Sequence, residues 1–481
     1  MLSLLLSLTL VLPTADKPQP KVYVILWFDT EDYILPASDD AALWLADFLT
    51  KEGIRGTFKV VGEKARTLQR RNRTDVIAAL NKHEIGYHSN YHSVHPTPAQ
   101  YLNDLGWDEG VEEFDRREGP GLKDVERIFG QKPTCYGQPG SSWGPQSYGA
   151  LKRWGLFYLD SGRHVDLDGK PNFYAGVLNL YRLTHTIRAD LNKPEELEKT
   201  TERFAQARKR LLAEGGGIVS IVYHPCEWVH REFWDGVNFA KGANPPPEKW
   251  VQPAQKSEDQ TRMSKRIFSD YVQFMKRFKD VEFITASQAA RLYTDRAIGR
   301  TFQAADLRAI AAKVADGLTY QSYTDYTLSP AEIFELLNRY IAGEKTPTLS
   351  DSPLGPTSRV IALREPITTD ASQLKRTAQD VADYMKKTHR VPGTIWLGSV
   401  GVPPEAYLKA LAKVALEMLD GQPIPGSIRF IEAKLDNEKY VANDDPKLWG
   451  WVIFPPGFRA PALMELAKRQ AWTVKPALLR P

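Results

Sequence analysis

The sequence predicts an α/β chain, a parallel (β/α) barrel of about seven units running to about residue 298 and then a mainly helical region. Two observations carry the barrel. Short apolar runs such as Lys21 to Phe28 (KVYVILWF) and Ile218 to Tyr223 (IVSIVY) lack the alternation of a half-exposed strand, as strands buried on both faces of a parallel sheet do. Amphipathic helical stretches separate these runs at the spacing of βα units. A third observation sets the boundary: past about Arg300 strand-like runs give way to helical segments, with a proline- and serine-rich stretch over 346–358.

In chain order, the first strand, 21–28, is followed by a helix over 41–52, a strand at 56–62, a helix over 74–82 and a short strand at 84–87. A helix around 124–129, a strand at 134–136, a helix over 147–154 and a strand at 157–159 continue the alternation. A long helix over 195–213 ends at Gly215-Gly216-Gly217, which punctuates the chain before the strand at 218–223. A helix over 264–278 and a last strand at 281–284 complete the series, which suggests a barrel more than an open sheet. Parallel barrels carry their sites at strand C-termini, and Asp29, His88, Asp160 and His224 each fall just past such an end.

The expected boundary lies at 296–300, giving a catalytic region over 21–298 and a binding or interaction region over 299–481. In the latter, helices are expected over 305–315 and 330–342. Two segments look alike: Tyr326 to Tyr340 and Val400 to Val414 each read as a Ser/Pro-initiated helix with an apolar face. A weaker echo at 455–467 makes a degenerate repeat the expectation.

Composition narrows the partners. The 481 residues hold 63 Lys and Arg against 59 Asp and Glu, with no long run of either sign, which excludes nucleic acid as the main partner. The apolar run Met1 to Leu12, followed by Pro13-Thr14-Ala15, reads as a secretory signal peptide over 1–15. It is too short to span a bilayer, so membrane contact is expected only in transit, and the protein is expected to be secreted, periplasmic or associated with the cell envelope. Two cysteines, Cys135 and Cys226, allow at most one bridge, and nothing in the sequence brings them within bonding reach. Oligomeric state leaves no trace in the sequence.

The chemistry-bearing residues fall in two segments, Phe28-Asp29-Thr30-Glu31-Asp32 and His88-Ser89-Asn90-Tyr91-His92. Two imidazoles four residues apart together with a carboxylate cluster are the ligand set of a catalytic divalent-metal site. In an extended strand Asp29 and Glu31 point the same way and Asp32 points opposite, which favours Glu31 as the carboxylate ligand with Asp32 as the alternative. His83 reads as a packing or capping residue and His95 as a loop residue. Trp143, Trp228 and Trp234 read equally as core or as sugar-stacking platforms.

Over residues 20–295 the chain resembles the polysaccharide deacetylase family, the NodB-homology or carbohydrate esterase 4 fold. The likeness is carried by Phe28 to Asp32, by the strand Gly56 to Gly62, and by the block His83-Glu84-Ile85-Gly86-Tyr87-His88-Ser89-Asn90-Tyr91-His92. Tyr158-Leu159-Asp160-Ser161 and Tyr223-His224-Pro225 add looser matches. The resemblance implies a distorted (β/α)7 barrel holding a divalent metal on His88, His92 and a carboxylate. Zinc is the expected ion, with cobalt, nickel or manganese as alternatives. It further implies Asp29 as base, His224 as general acid and a backbone N–H near Gly140 at the oxyanion, with Asp160 at the substrate; Trp228 is expected there from its place on a predicted site loop. The implied reaction is hydrolysis of the N-acetyl amide of a glycan.

One departure stands out. Where the family carries Arg-x-Pro beside the base, this chain has Tyr136-Gly137-Gln138-Pro139-Gly140, so no cation comes from that loop, and Arg163 is the expected substitute. The lost arginine motivates a second reading, a carbohydrate-binding protein that keeps the metal and lacks turnover. Hydrolysis of a small non-sugar amide is the third. The C-terminal region faintly resembles wall-binding repeats such as those recognising pseudomurein, with an interaction or oligomerisation module as the equal alternative.

Overall fold

The structure, a computed structural model, describes residues 19–160, 163–180 and 187–480; the expected signal peptide and Ser161 lie outside them. In chain order the strands of the main sheet are β1 (Val22–Thr30), β2 (Thr57–Val60), β3 (Glu84–Tyr87), β4 (Cys135–Tyr136), β5 (Phe157–Leu159), β6 (Asn172–Tyr174), β7 (Val177–Leu180), β8 (Gly217–Tyr223) and β9 (Val281–Phe283), joined by Lys475–Pro476. All seven expected strands belong to it.

The spatial order places β1 between β2 and β8, and β2, β3, β4, β5 and β7 follow one another outward, every pair parallel. β1 is buried along its whole length, as its unbroken apolar run requires. Its second edge is shared: β9 pairs with Val22–Val24, and β2 takes over from Trp27 to Thr30. The result is a curled, distorted (β/α) half-barrel with helices on its outer face.

Two departures from the expected elements have local causes. The hairpin of β6 and β7 turns on Ala175-Gly176, both with left-handed backbones (φ 49° and 73°), and alanine in place of the usual asparagine hides a two-residue turn of this kind. Residues Trp107–Phe129 form one helix, which joins the solvated helix face expected over Val111 to Arg117 to the helix expected around 124–129, across a Gly119-Pro120-Gly121 that reads as a break. Gly121 is required there, since a Cβ would overlap the Tyr87 hydroxyl and the Asn90 side chain.

Beyond 299 the chain is mainly helical, and the two similar segments belong to two helix–hairpin–helix units. One runs through Ala304–Val314, the hairpin Gln321–Ser322 with Thr327–Leu328, and Pro330–Ile341; the other through Ala371–Thr388, the hairpin Ile395–Leu397 with Val400–Val402, and Pro404–Leu419. The first helix of each unit packs against the second helix of the other. The echo at 455–467 yields the helix Pro461–Arg469 without a paired hairpin of its own among the described residues.

This region does not stay apart from the barrel. Lys475–Pro476 pairs antiparallel with β6, and the buried Lys475 Nζ lies 2.7 Å from both Glu332 and Asp295. Cys135 and Cys226 are buried, free thiols. No helix among the described residues is long and apolar enough to cross a membrane.

Candidate active site

β1 delivers the carboxylates. Asp29 and Glu31 both face the cavity at the strand's C-terminal end. Asp32 turns away, and its oxygens accept hydrogen bonds from the backbone N–H groups of Ile34 (2.9 Å) and Leu35 (3.1 Å) and from the Ser38 hydroxyl. Asp32 therefore shapes the turn into the helix Ala37–Lys51 and has no oxygen to offer at the cavity.

β3 delivers the histidines. It ends at Tyr87, and left-handed backbones at Ser89 and His92 (φ 65° and 56°) make a single turn that brings the rings of His88 and His92 within 5.0 Å. His88 Nδ1 lies 2.9 Å from the Gly137 carbonyl oxygen. A carbonyl can only accept, so the proton resides on Nδ1 and the Nε2 lone pair faces Glu31 Oε2, 3.3 Å away. His92 Nε2 lies 2.9 Å from the same oxygen, yet the alignment makes no hydrogen bond and this buried nitrogen has no other partner. Trp234 Nε1 donates to Glu31 Oε1 at 3.1 Å and fixes the carboxylate.

Among the described residues, Glu31, His88 and His92 form a group whose ligating atoms lie within 4.8 Å of one another. Imidazole lone pairs turned on a carboxylate oxygen in a buried place repel unless a cation joins them. The donor set and the orphaned His92 nitrogen fit a divalent metal.

Asp29 has a different set of neighbours. Its Oδ1 is 3.0 Å from Lys59 Nζ, and its Oδ2 is 3.7 Å from His224 Nε2. Lys59 is wholly buried on β2, donates to the Leu159 carbonyl at 2.7 Å and lies 3.7 Å from Asp160 Oδ2. The cation beside Asp29 is thus Lys59 and not Arg163, which lines the cavity further out. Gly137 makes room for it: a Cβ at that position would overlap Lys59 Nζ. The space left at Gly137 and the lysine in the strand belong to one arrangement. A lysine inside Gly-Thr-Phe-Lys-Val-Val was its visible sign.

Burial alone would raise the Asp29 carboxyl, but His88, Lys59 and His224 outweigh it and hold Asp29 below the usual carboxylate range. For His224, burial favours the neutral ring, and Glu31, Glu227 and Asp29 overcome it, pushing the imidazole up to about 9. Glu227 is the closest of these, accepting from His224 Nδ1 at 2.8 Å and pairing on its other side with Arg188. Both shifts act toward an ionised Asp29 beside a protonated His224.

The cavity has a volume of about 420 Å³. Gly140 and Asp160 line it, as does Gln138, which accepts from the Tyr158 hydroxyl at 3.1 Å. Trp228 does not: it is fully buried against Trp44 and Phe268, so its expected place at the substrate is corrected to a place in the core. Trp143 is likewise core, stacked on His164 at 4.7 Å. His83 is buried, with Nε2 donating to the Ala46 carbonyl, and His95 bonds Gln100, so neither approaches the three converging ligands. Lys59, Glu227, Asp235 and Trp451 belong to the site or its support without having been expected there.

No family model matches the chain, and no curated protein matches it. Among solved structures, a Mycobacterium smegmatis protein described as a polysaccharide deacetylase matches at 15% identity over 59% of this chain and 94% of its own, with a TM-score of 0.37. An allantoinase matches at 13% identity over 57% and 90%, with a TM-score of 0.36. A family 4 carbohydrate esterase from Streptomyces lividans, in complex with acetate, matches at 17% identity over 54% and 90%, with a TM-score of 0.28.

Proposed function

We propose that this chain is a metal-dependent hydrolase that removes the acetyl group from an N-acetylated glycan outside the cytoplasm. The observation that carries the reading is the meeting, in one cavity, of the Glu31–His88–His92 triad with Asp29 and His224. Glu31, His88 and His92 would hold the ion, zinc first and cobalt, nickel or manganese as alternatives. When bound, such an ion supplies Lewis acidity toward a carbonyl and acidifies water.

The chain's own groups do the proton work. Asp29, kept ionised by Lys59, accepts the proton of the attacking water at its carboxylate. Against burial, Glu31, Glu227 and Asp29 favour the imidazolium form of His224, so with Nδ1–H bound to Glu227 the ring also carries a proton on Nε2 and gives it to the departing amine nitrogen. Gly140, at the cavity wall, offers backbone to the developing oxyanion. The binding-only reading was motivated by a base without its cation, and Lys59 removes that motive.

The test is acetate release from N-acetylglucosamine oligomers and peptidoglycan fragments by zinc-, cobalt-, nickel- and manganese-loaded protein. Turnover that a chelator removes and added metal restores is expected. Glycan binding without acetate release under all four ions would return the chain to the binding-only reading, and turnover confined to small non-sugar amides would select the third.

A further inference from the structure

The barrel does not wall its cavity alone. Gly450, Trp451 and Val452, from a loop far beyond the last parallel strand, line it beside His92 and Asp235. This loop is fastened at several points. Trp451 N donates to Ser141 Oγ at 3.2 Å, and its indole N–H donates to Asp235 Oδ2 at 2.6 Å. The next two residues are tied in turn, with Lys241 N donating to the Val452 carbonyl at 2.9 Å and Gly242 N to that of Ile453 at 2.7 Å.

The barrel is shaped to receive the ring. Gly140 has a left-handed backbone (φ 52°), and a Cβ there would overlap the indole. The ring meets His92 edge-on with centroids 5.1 Å apart, so it stands against the metal triad itself. Trp451 is only half-buried: its N–H is anchored while the ring lines the cavity. An aromatic surface in a cavity, with Gln138, Asp160 and Asp235 around it, is the chemistry that holds a pyranose. The C–H face of the sugar lies on the ring and its hydroxyls meet the polar groups.

We propose that Trp451 is the stacking platform for the sugar that bears the scissile amide, so that the C-terminal region supplies a specificity-determining residue to the barrel's site. This rests on the glycan reading above. The experiment compares zinc-loaded full-length Trp451→Leu and Trp451→Phe with wild type on N-acetylglucosamine oligomers, measuring kcat and KM separately, with zinc content and circular dichroism alongside. Leucine keeps apolar bulk without an aromatic face, and KM rises about tenfold with a much smaller change in kcat and full zinc content. Phenylalanine keeps the face without the N–H and stays within about threefold of the wild-type KM.

A leucine variant with wild-type KM overturns the platform and leaves the deacetylase reading standing. A folded phenylalanine variant whose KM is raised tenfold or more also overturns it, by making the N–H anchor and not the face the working part; this arm decides the matter even where the leucine variant does not fold. Wild-type protein that neither binds nor deacetylates any oligomer overturns both readings together.

Discussion

Lys59 and Lys475 are both wholly buried, and each lies against two carboxylates, Asp29 and Asp160 for the one, Glu332 and Asp295 for the other. Around Lys475 every strong group is satisfied. Its ammonium reaches the two Glu332 oxygens at 2.7 and 2.9 Å, and Ser329 N adds a third bond to that carboxylate at 2.7 Å. Around Lys59 the arrangement is incomplete: its hydrogen bond goes to the Leu159 carbonyl, and Asp29 Oδ1, although 3.0 Å away, is too poorly aligned to accept one. The contact with Asp29 is therefore Coulombic. A buried carboxylate that is held ionised yet left short of hydrogen bonds, beside a cavity, keeps an oxygen available for a proton; a saturated one only holds structure together.

The contrast breaks most readily at Asp29. Asp29→Asn keeps the shape and removes the basicity, and kcat for acetate release falls about 10²- to 10⁴-fold with metal content unchanged. A loss under tenfold would place the base elsewhere. Lys475→Met should act on stability: stranding Glu332 and Asp295 costs about 3–5 kcal/mol in urea denaturation, while kcat of the folded fraction holds.

Lys59→Met tests both halves of the comparison. It lowers kcat about 10- to 100-fold, and since the lysine holds the Asp29 pKa down, its removal raises that pKa and moves the acid limb of the pH–rate profile toward neutrality. Gly137→Ala pushes a methyl group into the space of the ammonium, so it reduces kcat alone and adds little in the Lys59→Met background. Additive losses would show the two positions to be independent. The smallest effect belongs to Glu227→Gln. Against burial, Glu31, Glu227 and Asp29 push the His224 imidazole up to about 9, so it is expected to govern the alkaline limb; the neutral amide no longer favours the imidazolium, and that limb is expected to move down by about one pH unit. An unmoved limb would assign it to another group.

How much of this was legible depends on how far apart the cooperating residues lie. The parallel strands showed because a strand buried on both faces is written as one apolar run, β1 most plainly. The histidine turn and the Asp29–Glu31 pair showed because each is local, fixed by spacing within one strand or one turn. Lys59 was visible only as an odd residue in an apolar run, and its meaning needed Gly137 beside it. Trp228 misled because nearness to His224 in the chain stood in for nearness to the cavity; the short 3-10 turn Pro225–Trp228 directs the indole into the core against Trp44. Trp451 and Asp235 meet across a separation of 216 residues, and no local pattern records such a meeting.

That separation also sets an order of events in time. During synthesis the triad's last member, His92, is laid down well before the ring that stands against it, and Lys475, which ties this later region to the barrel, follows that ring. Contacts of this range are paid for in loop-closure entropy and form late. The Glu31–His88–His92 group can thus come together before Trp451 completes the wall of its cavity.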